Sequence, residues 1–412
     1  MRPRILLAVA ALGIATASLA ALPDDPSSRT PDDRGALTGQ RAGDQPRQTS
    51  DGLPGEIAEP IPAGVLARPR LSRERSWRIA PGVSYRRWDQ TDRRGRVRAH
   101  LVTVDPAREG VRLDYASLAK VPYRGPLTRL LRRDPGNAVA GVNGGFFDIY
   151  DTGAPLGVGR DRQRGFLHAA KYTWNNAFSV DRSGVARVGR LEMEATIREF
   201  PQIEITNVNS PRVRVGKVGI YTGAWGATSG YSITDGQEKQ VRIVVVQDGR
   251  VVASSTRLNS DKPIVGTVLV GRGPGAAQLA ELRVGAKATV GWRLPRSLGF
   301  AISGESILLR NGRITVDDDV YLHPRTAVGI DRDTGEVLLL AVDGRQDHSR
   351  GYTLVELARM MRQLGADAAL NLDGGGSTTL AGLDRRDRLR VLNSPSDGGQ
   401  RSVPDGIAVL VD

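Results

Sequence analysis

Two acidic residues in this sequence each end an apolar, β-type run and open a glycine turn. Glu336-Val-Leu-Leu-Leu-Ala-Val342 runs into Asp343-Gly344, and Ala368-Ala-Leu-Asn-Leu372 runs into Asp373-Gly-Gly-Gly-Ser377. Paired carboxylates are the working groups of glycosyl transfer to water, one stabilising positive charge at the anomeric carbon and the other moving a proton. A third segment has the same shape: Asn137-Ala-Val-Ala-Gly-Val142 followed by Asn143-Gly-Gly-Phe-Phe147. Glycines after a strand let backbone N–H groups approach a ligand and form an anion-binding nest. Three glycines in succession carry an entropic cost that an ordinary turn has no need of. The two turns are expected to line one pocket, with Asn143, Gly144, Gly145 and Phe146 on one side and Asp373, Gly374, Gly375 and Gly376 on the other. Ser377 and Thr378 would donate to a ligand oxygen or cap the element that follows.

The elements that position these groups are legible. Between the two acidic turns, Thr353 to Leu364 reads as a helix: Thr353 with Glu356 forms a capping box, Leu354, Leu357, Met361 and Leu364 share a face, and Gly365 terminates it. Strand, helix, strand makes a βαβ unit, whose strands run parallel. Asp343 and Asp373 then emerge at one rim of the sheet, about 5 Å apart if the strands are neighbours and about 10 Å apart with one strand between them. Pro126 to Arg133 is a second, shorter helix. Turn signals at Arg182-Ser-Gly184, Asp248-Gly249, Asn311-Gly312 and Asp333-Thr-Gly335 separate β-type runs, so the stretch 180–300 reads as twisted antiparallel sheet. The fold class expected is α+β: a β-rich mixed sheet with antiparallel hairpins, a C-terminal βαβ unit and few helices.

His323-Pro-Arg-Thr326 precedes another strand, Ala327 to Ile330. Pro324 disfavours helix at His323, and the planar fork of Arg325 suits a phosphate. His323 is either a structural hydrogen-bonding group or a ligand contact. Other chemistries find no pattern. Neither glycine run has the spacing of a nucleotide-binding loop, the Gly-x-Ser-x-Gly elbow is missing, and His100, His168 and His348 show no metal-ligand spacing. Asp317-Asp-Asp319 lacks a calcium-loop pattern and reads as a solvated turn. No metal or cofactor is expected.

The 412 residues carry a formal charge of +13, and Cys is absent. The charge favours anionic partners, while sparse aromatics and the lack of a basic stretch with stacking residues argue against nucleic acid. A basic start (Met1 to Arg4), an apolar stretch (Ile5 to Ala17) and small residues at Ser18 and Ala20 read as a signal peptide over 1–20. That implies a secreted protein with no membrane span after cleavage. Residues 21–76 are rich in Pro, Gly, Asp, Arg, Ser and Gln and read as a flexible leader, or alternatively a propeptide. The domain is expected over 77–412. Nothing in the sequence fixes the oligomeric state.

Taken together, Asn143-Gly-Gly-Phe-Phe147, His323-Pro-Arg-Thr-Ala-Val-Gly329, Val342-Asp-Gly-Arg-Gln346 and Ala369-Leu-Asn-Leu-Asp-Gly-Gly-Gly-Ser-Thr378 resemble the phosphodiester glycosidase family. The resemblance continues at Ile220-Tyr-Thr-Gly-Ala-Trp-Gly226, Gly271-Arg-Gly-Pro-Gly275, Asn393-Ser-Pro-Ser-Asp-Gly398 and Arg401-Ser-Val-Pro404, and so covers about 80 to 411. It implies hydrolysis of a sugar joined through its anomeric carbon to a phosphodiester, with Asp373, Asp343 and Arg325 as catalytic groups. Asn143, His323, Arg345 and Asn371 would contact the substrate, a sugar phosphodiester or an anionic glycopolymer. Gly304-Glu305-Ser306 departs from the small or apolar residues usual before the family's Leu-x-x-Gly hairpin. Two other readings compete: a phosphodiesterase on the same scaffold, and a non-catalytic binder of an anionic cell-wall polymer.

Overall fold

A computed structural model describes residues 48–61, 70–133, 138–294 and 298–412. The signal-type segment 1–20, and the leader up to residue 47, lie outside the described residues. Ten strands and two helices hold the centre of interest: β1 (Arg70–Ala80), β2 (Val83–Asp92), β3 (Gly95–Val104), β4 (Val111–Ser117), α1 (Leu127–Arg133), β5 (Ala138–Asn143), β6 (Arg325–Ile330), β7 (Val337–Val342), α2 (Leu354–Gln363), β8 (Ala368–Asn371), β9 (Leu380–Leu383) and β10 (Asp405–Val411).

Two of the sheets pack face to face. The larger has eight strands in the order β1-β2-β3-β7-β6-β8, continued by the hairpin Ile307–Arg310 and Arg313–Ile314, with every neighbouring pair antiparallel. The smaller has five, in the order Leu389–Val391, β9, β5, β10, β4, again antiparallel throughout. Alternation of side chains along each strand sorts the core into layers. From β7, Val337, Leu339 and Ala341 join Val142 of β5 and Ile407 and Val409 of β10 in the cluster between the sheets. Leu338, Leu340 and Val342 point the other way, onto Leu354, Leu357, Ala358 and Met361 of α2. On the far side Leu127, Leu130 and Leu131 of α1 cover Ala408 and Leu410 of β10. The result is a helix–sheet–sheet–helix stack. Strands buried on both faces carry near-continuous apolar sequence, each large side chain contributing roughly 1.5–3 kcal/mol on burial.

The βαβ unit carries a modification. β7 and β8 are parallel, but each pairs antiparallel with β6, which runs between them. The helix, and the hairpins at Asp248-Gly249 and Asn311-Gly312, form where expected. Thr353 accepts the N–H of Glu356 at 3.2 Å, the Glu356 carboxylate accepts the N–H of Thr353 at 3.0 Å, and Gly365 ends the helix with φ +99°. Asp248-Gly249 and Asn311-Gly312 take left-handed conformations at both central positions, as two-residue hairpin turns require. In the middle of the chain a ten-stranded sheet is antiparallel except for one parallel pair, Ile205–Val208 with Val218–Thr222.

Two expectations need correcting. Asp317-Asp-Asp319 is no solvated turn: Arg94 forks onto the Asp319 carboxylate at 2.8 and 3.0 Å, and Thr353 donates to it at 2.6 Å. The stretch expected as flexible leader is ordered in part. β1 begins at Arg70, and Glu56–Ile57 pairs with Tyr321–Leu322. Composition misleads here because polar side chains that find partners in the domain need no apolar area to hold them.

The capping box is the best-defined local device in the stack. Thr353→Ala is expected to cost about 1–2 kcal/mol, and to lower the melting temperature by a few degrees in a calorimetric scan. An unchanged Tm would show that Arg350, which holds the Glu356 carboxylate at 2.9 Å, suffices to fix the helix start.

Candidate active site

The rim where β7 and β8 end is also where β6 begins. Register pairs Arg325 with Val342 and Ala327 with Asn371, so Asp343, Arg325 and Asp373 leave three adjacent strands at one edge. Asn143, the last residue of β5, joins this edge to the smaller sheet. Its amide Nδ2 donates to the Asp373 carbonyl at 2.8 Å, and its Oδ1 accepts from the Thr326 hydroxyl at 2.7 Å and the Thr379 N–H at 3.0 Å. The Asp373 N–H in turn donates to the Gly144 carbonyl at 3.0 Å. Asn143 is completely buried and its side-chain bonds all run to protein, so it positions Asp373 rather than presenting itself to a ligand.

The two carboxylates differ in kind. Both Asp343 oxygens are saturated. Oδ1 accepts the Ser394 N–H at 2.9 Å and the Asn393 amide at 3.3 Å; Oδ2 faces His100 Nε2 at 3.1 Å and His348 Nε2 at 3.5 Å. Burial works to raise its pKa, but the His100 contact and the Ser394 and Asn393 donors outweigh it, and the group stays below the ordinary carboxylate value. Asp373 has spare capacity. Its Oδ1 accepts the Ser50 N–H at 2.8 Å, while buried Oδ2 has no hydrogen-bond partner among the described residues. Burial pushes its pKa up to about 6, against the pull of Ser377, Ser50 and Arg401.

The glycines serve three purposes. A side chain at Gly374 would lie 2.7 Å from the Pro324 carbonyl, and one at Gly376 would lie 2.0 Å from Arg401 Nη2. Those two positions are bare for packing. Gly375, with φ +61°, instead faces an acidic group, since its absent Cβ would sit 3.0 Å from Asp51 Oδ2. The Gly144–Gly145 turn departs from its expected role as an anion nest. The Gly144 N–H donates to the Asp405 carbonyl at 3.0 Å and the Gly145 N–H to Asp405 Oδ1 at 3.1 Å. Its donors are committed to the protein's own β10. Phe146 is buried as well, tilted against Trp174 with ring centroids 5.2 Å apart.

A strap formed by residues 48–53 lies across this edge. Thr49, Ser50 and Asp51 are buried, and the Ser50 hydroxyl accepts the Phe147 N–H at 3.0 Å. Asp51 Oδ2 meets Arg401 Nη2 at 2.9 Å and Arg345 Nη1 at 3.2 Å. Burial opposes ionisation of Asp51, yet the Thr49 hydroxyl, Arg345 and the Leu53 N–H hold its carboxyl well below the ordinary value. Arg325 spends Nε on the Tyr352 carbonyl (2.9 Å) and part of Nη2 on that of Tyr321 (3.1 Å); its outer edge meets Gln48 Oε1 at 2.6 Å. Burial brings its pKa down to about 10. His323 Nδ1 accepts from Arg345 Nη2 at 3.0 Å, and burial with the two neighbouring arginines pushes its pKa down to about 3, so the ring is neutral.

Several buried polar atoms along this edge have no hydrogen-bond partner among the described residues: both side-chain atoms of Asn371, His323 Nε2, and the hydroxyls of Ser377, Thr378 and Thr379. Folded proteins leave few such groups. Together with Asp373 Oδ2 they are donors and acceptors that the described residues leave unused near this edge. Sequence reasoning singled out Asp373, Arg345, His323, Asn371, Ser377 and Thr378 here. It missed His100, His348, Asp51 and Asp405, and saw Arg401 only as part of a motif. His348 lies five residues after Asp343, a spacing open to inspection; His100 reaches the site from β3 and carries no local signal. Among the described residues, no group of three or more His, Cys, Asp or Glu side chains converges as a metal site would require.

Known proteins resemble this chain in fold and over part of its sequence. Solved structures share the fold: a hypothetical protein from Synechocystis (TM-score 0.69, 23% identity, 83% of this chain and 64% of that one) and a protein described as exported from Burkholderia pseudomallei K96243 (TM-score 0.68, 20% identity, 87% and 99%). The N-acetylglucosamine-1-phosphodiester alpha-N-acetylglucosaminidase of Mus musculus is 36% identical over 96 residues, which span 19% of this chain and 18% of that protein. The match therefore covers about a fifth of the mouse protein's length. Residues 222–410 match the profile of the phosphodiester glycosidase family, a stretch that takes in β6 to β10 with Arg325, Asp343, Asp373 and Arg401. By that match, and by the relative that agrees with it, the chain is similar to the phosphodiester glycosidase family over residues 222–410.

Proposed function

We propose that this protein is an exported hydrolase that releases a sugar from a sugar-1-phosphodiester. The observation that carries the reading is one juxtaposition. A buried carboxylate with a free oxygen, Asp373, adjoins an arginine pair, Arg345 and Arg401, that already grips an anion, the Asp51 carboxylate, beside Gly375. The Asp51 carboxylate stands in for a phosphate oxygen pair of the substrate. The mouse relative's name specifies such a phosphodiester, with N-acetylglucosamine as its sugar.

In this reading the bond between the anomeric carbon and the phosphate oxygen breaks, and its electron pair leaves with the phosphate. Arg345, Arg401 and the outer edge of Arg325 take up the charge that develops there. Asp373 faces the oxocarbenium-like carbon, and an incoming water completes the sugar after giving up a proton. Asp343 is saturated and stays ionised; it orients His348, which reaches solvent with a third of its side chain exposed, as the proton carrier. The unused groups of Asn371, Ser377 and Thr378 would hold sugar hydroxyls. A phosphate is a good leaving group, so strong acid assistance on the leaving side is unnecessary.

Cleavage in oxygen-18 water separates this reading from a phosphodiesterase. The label should enter the sugar; label in the phosphate would assign P–O cleavage instead. Absence of any turnover, with retained binding, would leave a binder of anionic polymer.

Asp373→Asn is expected to lower kcat by about 10²–10⁴-fold. The same variant should be more stable near neutrality. A carboxyl whose folded pKa lies near 6 loses stability as pH rises from about 4 through 6, because the folded state must give up a proton that it holds more tightly than the unfolded chain does. The amide escapes that cost, on the order of 3 kcal/mol. Its Tm advantage at pH 7 should shrink toward pH 4. An inactive variant with no such advantage would place the lost activity in damaged structure.

The strap must move for substrate to enter. Asp51→Ala in the full chain removes the anion from the arginine pair and should raise kcat/KM toward a sugar phosphodiester about tenfold. An unchanged value would mean that the strap does not compete with substrate.

A further inference from the structure

Beneath the Asn143–Gly145 turn lies a buried chain of polar groups that the proposed reaction does not use. Asp405 starts β10, Tyr115 lies on the neighbouring β4, and His168 lies on the strand Gly165–Ala170. Their relative exposures are 1%, 2% and 1%. The Tyr115 hydroxyl is 2.7 Å from Asp405 Oδ2 and 2.7 Å from His168 Nε2, and His168 Nδ1 is 2.7 Å from the Gly157 carbonyl. Asp405 Oδ1 accepts the Gly145 N–H at 3.1 Å.

Proton bookkeeping along this chain has few solutions. A carbonyl only accepts, so His168 Nδ1 carries a hydrogen and donates to Gly157. In a neutral ring Nε2 is then a bare acceptor. Tyr115 has one proton and two partners at equal distance. If it donates to His168, the remaining contact holds only if Asp405 Oδ2 carries a proton and donates to the Tyr115 oxygen. An ionised Asp405 beside a neutral His168 would leave two acceptors facing each other at 2.7 Å. The chain therefore holds one proton more than the ordinary neutral-pH states of its members supply. Burial decides where: it pushes the Asp405 carboxyl up to about 7, reinforced by the nearby Asp373 charge, and pushes His168 down to about 4.

We propose that Asp405 is a neutral carboxylic acid in the working protein, and that it is a positioning residue which adds no second negative charge beside Asp373 at the Gly144–Gly145 turn. The proposal rests on the reading of Asp373 as the reacting carboxylate. Asp405 supports the Gly144–Gly145 turn from below, and that turn supplies the carbonyl that holds the Asp373 N–H. Ionisation of Asp405 would set a second anion against Asp373 and break the chain to Tyr115. The charged and titratable groups around Asp405 are Tyr115 on β4, His168 on its strand and Asp373 after β8, with the Arg164–Asp161 pair (2.8 Å) beyond Tyr115. Tyr115, His168 and Arg164 also line a cleft of about 220 Å³ that shares no lining residue with the catalytic edge, giving the chain its own end toward solvent.

Asp405→Asn is the decisive variant, because an amide reproduces the neutral acid: Nδ2–H donates to the Tyr115 oxygen and Oδ1 accepts from Gly145. Infrared difference spectra of the full-length Asp373→Asn protein at about pH 5, a background without the second buried carboxyl, should show a protonated-carboxyl band that disappears when Asp405→Asn is added. With the methyl phosphodiester of N-acetylglucosamine 1-phosphate as probe, Asp405→Asn should stay within about threefold of the parent kcat/KM on the acid limb, and its alkaline fall should move to higher pH. Asp405→Ala, lacking donor and acceptor, should lose activity at every pH. An intact band once Asp405→Asn is added, or an Asp405→Asn variant as damaged as the Ala variant, overturns the proposal. If the band behaves as expected and no variant hydrolyses the probe, the glycosidase reading fails and the protonation of Asp405 stands.

Discussion

One amide, that of Asn143, is the constraint on which this edge of the protein depends. It is the point where two separately hydrogen-bonded sheets are made to agree, because its three bonds reach β6, the segment before β9 and the carbonyl of Asp373. Each bond contributes about 1 kcal/mol net, but leaving any partner unpaired in so dry a location costs more. Register between the sheets is thus fixed at the residue where chemistry is proposed. A reacting group so held needs little reorganisation when charge develops nearby, the main advantage a protein offers over water.

The two carboxylates at the rim show how environment divides similar side chains into different tasks. Asp343 meets four donors and remains an anion despite total burial. Asp373 meets one, and desolvation pushes its pKa up to about 6. The difference lies in which neighbours arrive, and most come from distant sequence: His100 from β3 and Ser394 from the loop that follows Leu389–Val391.

That origin explains what could be read from the sequence. Asp373-Gly-Gly-Gly announced itself because three glycines are hard to justify otherwise, and the structure puts them to use against Pro324, the strap and Arg401. The helix after Thr353 and the Asp-Gly and Asn-Gly hairpins were legible because their signals are local. The strand Ala327–Ile330 was legible too, but its place between β7 and β8 was not, because an apolar run shows burial without naming its partners. Asn143-Gly-Gly looked like a second anion nest on the same evidence as the first, and only the arrival of Asp405 from the C-terminal strand shows that its donors are taken. The polar segment 48–53 was invisible for the opposite reason. Composition measures apolar burial, and this segment is held by charges and backbone hydrogen bonds.

The strap also has a thermodynamic property that follows from being part of the same chain. A tethered segment presents itself at an effective concentration in the millimolar range, independent of how dilute the protein is. Contacts too weak to retain a free peptide are then enough to keep the edge covered. Scission of the chain anywhere between the strap and β1 would abolish that advantage at once, since the released piece would be diluted to its bulk concentration. Occupancy of the edge is therefore governed by the covalent continuity of the sixteen residues 54–69 rather than by the strength of any single contact the strap makes.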